Sequence, residues 1–131
     1  VHFTVDIRSW DDDHAVKAWE LMMQEFQAIA DRQGTPLKME ETWRVEHAPF
    51  DEKLVQRVLE TSEELGYSNH YMVSGAGHDA SYMNQLSPTA MIFIPSIGGR
   101  SHVEVEESTW DDCEAGCNVL FHCMLKSALE S

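Results

Sequence analysis

Positive charge is scarce in this sequence. Nine Lys and Arg stand against 23 Asp and Glu, a formal net charge of −14. A surface so acidic repels phosphate backbones and anionic headgroups, so neither nucleic acid nor membrane is expected as a partner. Long apolar runs are missing too, and none approaches the ~18 residues that a membrane span requires. No secretory leader is expected either. Val1 has no Met before it and "VHFTVDIR" already reads as the middle of a strand, so the chain is expected to be a piece of something longer. Cysteine is limited to Cys113, Cys117 and Cys123, in a C-x3-C-x5-C spacing that is not a usual zinc spacing. Free thiols fit a cytoplasmic location better than a secreted, disulfide-stapled one. No internal repeat or low-complexity tract is present, and 131 residues make one modest domain rather than a large enzyme.

What is present alternates between strand and helix periods. In residues 1–8, Val1, Phe3, Val5 and Ile7 fall on one face of a strand; His2, Thr4, Asp6 and Arg8 fall on the other. A helix is predicted from about 11 to 33, with Val16, Trp19, Met23, Phe26 and Ala30 on its apolar face. Ser9 with Asp12 forms a candidate capping box, Gly34 a candidate C-cap, and Pro36 blocks continuation. Residues 36–47 then alternate again, with Leu37, Met39, Trp43 and Val45 on one side. Residues 1–47 are thus strand, helix, strand, which is a poor independent unit.

From Ala48 onward the period changes, and residues 48–131 read as α/β. A helix capped by Asp51 and stopped by Gly66 leads to a strand near 70–73 and then a short helix over 79–86. The run "AMIFIP" (90–95) is apolar on both faces, as in a central strand covered by helices. The last helix is predicted from about 109 to 129 with Thr109 and Asp112 as a capping box. Cys113, Cys117, Leu120, Met124 and Ala128 make its expected buried stripe, on which the thiols act as small hydrophobes.

Two loops at the carboxyl ends of predicted strands attract chemistry. The first is "SGAGHDA" (74–80). Gly75 and Gly77 can take φ > 0 and leave backbone N–H groups uncovered, and the strand–turn–helix setting favours an anion. Gly75-x-Gly77-x-x-Ala80 fits a loose dinucleotide fingerprint, but the acidic residue wanted about 20 positions on is missing from "MIFIPSIGG". A plain structural turn is the bland alternative, and a small anion such as a carboxylate the preferred one. The second loop, 96–107, carries Ser101, His102, Glu104, Glu106 and Glu107. A histidine among carboxylates at a strand end is a candidate metal ligand, although one histidine makes no site alone. His2, His14, His47 and His122 lack such a setting and default to surface or packing roles.

"FTVDIR", "SGAGHDA", "AMIFIPS" and "SHVEVEES", in this order and spacing, resemble the C-terminal third of metal-dependent amidohydrolases of the peptidase M20 type. The nearest branch holds the N-carbamoyl-L-amino acid hydrolases, allantoate amidohydrolases and ureidoglycolate or β-ureidopropionate hydrolases. The resemblance implies that residues 1–47 are the second half of a ferredoxin-like α+β lid that also dimerises the enzyme. It makes 48–131 the end of a zinc-peptidase-like α/β catalytic domain. It implies a pair of divalent ions, manganese or zinc, that activate a water against an amide or ureido carbonyl. The metal-ligand histidine of an S-H-x-P-x-E motif falls on His102, with Glu104 in place of the motif proline. The lid arginine that grips the substrate carboxylate falls on Arg8. The loop whose N–H groups meet the same carboxylate falls on Gly75, Ala76 and Gly77. His78, a candidate substrate-binding residue, and Asp79 match the motif in orienting roles. The family's other ligands and its general base lie upstream of Val1, so this chain alone is expected to be inactive. A non-catalytic oligomerisation or anion-binding module, with Met22 and Met23 on its surface, and an aminopeptidase or deacylase of the same superfamily are the alternatives.

Overall fold

The computed structural model describes residues 1–130. Among these residues four α-helices carry the regular structure, α1 (Asp12–Gln33), α2 (Glu52–Glu64), α3 (Asp79–Met83) and α4 (Trp110–Leu129), with one 3₁₀ turn at Ile97–Gly99. The chain gathers into two compact units. One joins Val1–Ala48 to Val73–Ala76; the other joins Pro49–Met72 to the chain from Gly77 onward.

In the first unit, α1 is capped two residues beyond the expected Ser9. Asp11 is the N-cap, its carboxylate accepting from His14 N–H at 3.0 Å, while Ser9 Oγ accepts from Asp11 N–H at 3.1 Å. Ser9 lies two residues too far out to reach the open amides of the first turn, and Asp11 lies within reach. Asp12, freed from capping, accepts from the backbone N–H of His47 at 2.9 Å. Gly34 closes the helix at φ 62°, the left-handed geometry that glycine adopts without Cβ strain. Trp19, Met23, Phe26 and Ala30 form the better-covered face of α1, and Phe26 meets Phe3 edge-on at 6.0 Å.

The second unit is organised by α2 against α4. Asp51 caps α2 through Leu54 N–H at 2.9 Å, and Gly66 follows its end at φ 77°. Thr109 caps α4, accepting from Asp112 N–H at 3.1 Å, with a return contact between the Thr109 hydroxyl and the Asp112 carboxylate at 2.6 Å. The seam between the helices is polar. Arg57 donates to Ser127 Oγ at 2.6 Å and pairs with Glu130, while Lys126 donates to Thr61 at 3.1 Å and Glu64 at 2.6 Å. Thr61 is fully enclosed, beside buried Ser62, Val119 and Cys123.

The buried stripe of α4 is displaced from the expected one. Val119 and Cys123 are buried, whereas Cys117, Leu120 and Met124 are exposed. The expected residues instead line an apolar cavity of about 860 Å³ together with Leu54, Val58, Ile92 and Ile94. The helical period was legible, but a helix carrying Val119 and Cys123 one residue away from the chosen stripe leaves its phase ambiguous.

No strand ladder occurs among the described residues, including 1–8, 36–47, 70–73 and 90–95. Period-two patterning specifies faces, but a ladder needs a partner strand about 4.8 Å away. The intended inward row of 1–8 accordingly stays exposed, Phe3 at 63% and Val5 at 50%.

Segment 90–95 nevertheless docks on α4. A Cβ added at Gly116 would lie 2.5 Å from Ile94 Cγ2, closer than any side chain tolerates. Gly116→Ala should therefore lose roughly 1–2 kcal/mol of stability even after the helix-propensity gain of alanine. Urea unfolding of the full-length parent measures this; an unchanged or raised midpoint would mean that Ile94 yields freely.

Candidate functional site

Arg8 sits two residues beyond Asp6 on an extended segment, so the two side chains leave the backbone on the same side. Arg8 Nε and Nη2 both donate to Asp6 Oδ2, at 2.9 and 2.6 Å, and Nη1 donates to the carbonyl oxygen of Gly75 at 2.9 Å. The third bond spans 67 positions of sequence, and all its members belong to the first unit. Arg8 and Gly75, two of the expected carboxylate-binding residues, are thus brought together.

The hydrogen bonds from Arg8, reinforced by its charge, hold the Asp6 carboxyl below its ordinary range, and Asp6 raises Arg8 in return. A depressed carboxyl pKa stabilises the folded pair above the ordinary Asp value. That contribution is lost as pH falls through the lowered value. Because both groups are well exposed, its size is small. An NMR titration of the Asp6 carboxyl carbon is expected to show a midpoint below that of a free aspartate, and Arg8→Lys is expected to move it upward.

The glycine loop departs from its expected geometry. Neither Gly75 nor Gly77 has a positive φ, and a Cβ at either would meet nothing within 4 Å. Backbone strain and packing within this chain therefore leave both glycines unexplained. Close approach of a bound group would account for them. Ala76 N–H donates to Ser74 Oγ at 3.2 Å, so a ligand reaching Ala76 must displace that bond. Helix α3 has five residues rather than the expected eight, too short for its dipole to define an anion site. His78 precedes it, half-buried, with its ring edge-on to Phe93 at 5.5 Å within the second unit. Asp79 opens the helix.

His102 lies in the second unit, in a loop closed at its base. Ile97 N–H donates to Glu107 O at 2.8 Å and Ser108 Oγ to Pro95 O at 2.8 Å. His102 has φ 58°, the single non-glycine residue with positive φ among those described. Left-handed backbone at a residue with a Cβ costs on the order of 1–3 kcal/mol and persists where surrounding bonds impose it. Here Glu106 supplies one, its carboxylate accepting from His102 N–H at 2.7 Å, and a turn from Glu106 N–H to Val103 O at 3.0 Å shapes the rest. Sequence reasoning left Glu106 and Ser74 without roles, since short-range side-chain-to-backbone bonds leave no periodic signal. Among the described residues no three His, Cys, Asp or Glu side chains gather around a common point that could hold a metal ion. The exposed imidazole of His102 fits one nitrogen donor of a metal centre and no more.

Known proteins resemble this chain over nearly its whole length. Peptidase family M20/M25/M40 matches residues 6–126. An N-carbamoyl-L-amino-acid amidohydrolase of Rhizobium meliloti is 41% identical over 98% of this chain and 31% of its own length. An allantoate amidohydrolase of Bacillus subtilis is 34% identical over 98% of this chain and 31% of its own. The crystal structure of an amidase of the hydantoinase/carbamoylase family from Burkholderia multivorans superposes with a TM-score of 0.86 and 39% identity, over 90% of this chain and 29% of that one. The chain therefore spans about 30% of the length of the relatives it matches.

Proposed function

This chain belongs to peptidase family M20/M25/M40, and we propose that it is part of a metal-dependent amidohydrolase that cleaves the C–N bond of a ureido or amide acid. The substrate is an N-carbamoyl amino acid or an allantoate-like compound. The observation that carries the reading is the bond from Arg8 to Gly75 O, because it unites two carboxylate-recognising elements that lie far apart in sequence. Arg8 takes the substrate carboxylate through its planar fork. The backbone N–H groups of Gly75, Ala76 and Gly77 meet the same carboxylate, and His78 orients the substrate.

His102 is one ligand of a centre of two divalent ions, manganese or zinc, whose remaining ligands belong to the rest of the parent protein. When bound, such a centre supplies an activated water and polarises the scissile carbonyl. The strained backbone of His102 supports a functional role, since such strain collects at active sites. Residues 1–47 form the second half of a lid through which two subunits pair, and 48–131 the end of the α/β catalytic domain, with strand partners supplied by the parent. The enzyme works in the cytoplasm.

The test is to express the full-length parent with manganese or zinc and assay it on N-carbamoyl-L-amino acids and allantoate. Ammonia release from at least one of them is expected. No turnover of any, from folded and metal-loaded protein, would overturn the reading.

A further inference from the structure

We propose that Asp6 is a positioning residue that turns the Arg8 guanidinium so that one N–H on each of its two terminal nitrogens faces the substrate carboxylate. The proposal rests on the reading that Arg8 binds that carboxylate, and adds to it the device that aims the fork.

The count of donors carries the argument. A guanidinium has five N–H groups in a rigid plane. Asp6 Oδ2 takes the one on Nε and one on Nη2, and Gly75 O takes one on Nη1. One N–H on Nη1 and one on Nη2 are left over, the number that a single carboxylate accepts bidentately. Three bonds to two acceptors on separate segments fix the plane. Without Asp6 only the bond to Gly75 O remains, and the guanidinium can rotate about it.

Two physical effects of Asp6 oppose each other. Its negative charge repels an anionic substrate, so removing it should tighten binding. Its orienting bonds favour a productive pose, so removing them should slow turnover, and a displacement of about 1 Å is enough to cost on the order of 10²-fold. Because a single oxygen accepts both bonds, Asp6→Asn preserves the acceptor geometry while removing the charge, and Asp6→Ala removes both.

The experiment uses the full-length, metal-loaded parent with whichever of N-carbamoyl-L-alanine and allantoate it hydrolyses faster. Variants Asp6→Asn, Asp6→Ala and Arg8→Lys are compared in kcat, KM and melting temperature, and the NMR signal of Arg8 Nε–H is followed in parallel. Asp6→Ala is expected to lower kcat about 10- to 100-fold without raising KM, and to broaden the Nε–H signal by fast exchange with water. Asp6→Asn should recover most of kcat and keep the signal sharp. Equal kcat in Asp6→Ala and wild type overturns the proposal, as does a kcat loss that Asp6→Asn shares in full. A fall in melting temperature that accounts for the lost activity also overturns it, since Asp6 is then merely structural. If Arg8→Lys turns over the acid like wild type, the underlying reading of Arg8 fails. If Arg8→Lys is crippled while Asp6→Ala is not, only the positioning role fails.

Discussion

His102→Ala in the full-length parent is expected to remove one metal ion per subunit and to lower kcat by at least about 10³-fold, the equivalent of about 4 kcal/mol of transition-state stabilisation. Elemental analysis and steady-state kinetics read the two effects. The left-handed backbone at this position supplies the control. Alanine retains a Cβ and so keeps the strain at φ 58°, whereas glycine adopts that φ freely. His102→Gly should therefore be about 1 kcal/mol more stable than His102→Ala while losing the same metal ion and the same turnover. If His102 served only to shape the loop, glycine would restore activity along with stability. Two metal ions per subunit retained in either variant would take His102 out of the centre.

How much of this was legible beforehand depends on the range of each interaction. Asp51, the Thr109–Asp112 box and Gly34 were readable because a cap is a local geometric need satisfied within four residues. The cap of α1 lies two residues beyond the expected Ser9 because Ser9, Asp11 and Asp12 are all competent caps, and only the actual path of the chain chooses among them. The stripe on α4 was displaced because that helix is apolar on more than one face. Which face is buried is decided by α2, where Lys126 reaches Thr61 and Arg57 reaches Ser127. The sheet is a different case: alternation in 1–8 and the apolar run 90–95 state which sides a strand would bury, but not which strands lie beside it.

At the site the same rule applies. Arg8 pairs with Asp6 two positions away and also reaches Gly75 O, since a guanidinium has donors enough for both with two N–H groups left over. The approach of Arg8 to Gly75 came from family resemblance; no spacing rule reaches across 67 residues. The conformation of the glycines was misjudged for an instructive reason. Their sequence pattern suggested left-handed turns, while the folded chain gives neither a positive φ and leaves both open to solvent. Neither strain nor packing within the chain then demands glycine at these two positions.

Substitution of Arg8 separates a clamp from a structural arginine most directly. Arg8→Lys retains the positive charge but replaces a planar five-donor fork with a compact ammonium. Lysine could satisfy Asp6 or Gly75 O, yet it cannot hold both and still present two parallel N–H groups to a carboxylate. Turnover of N-carbamoyl-L-alanine should fall on the order of 10²-fold in kcat/KM, as expected when a bidentate contact that orients the substrate is lost. The matching amide, N-carbamoyl-L-alaninamide, lacks the anionic group. It should be a poor substrate of the wild type and should suffer little further from the substitution. The thermal midpoint should move little, because an exposed Asp6–Arg8 pair contributes little to stability and lysine preserves its charge. A structural arginine predicts the opposite pattern: a lower midpoint and equal proportional losses on acid and amide. Equal losses would remove Arg8 from the substrate site and, with it, the reason for Gly75 to lie against it.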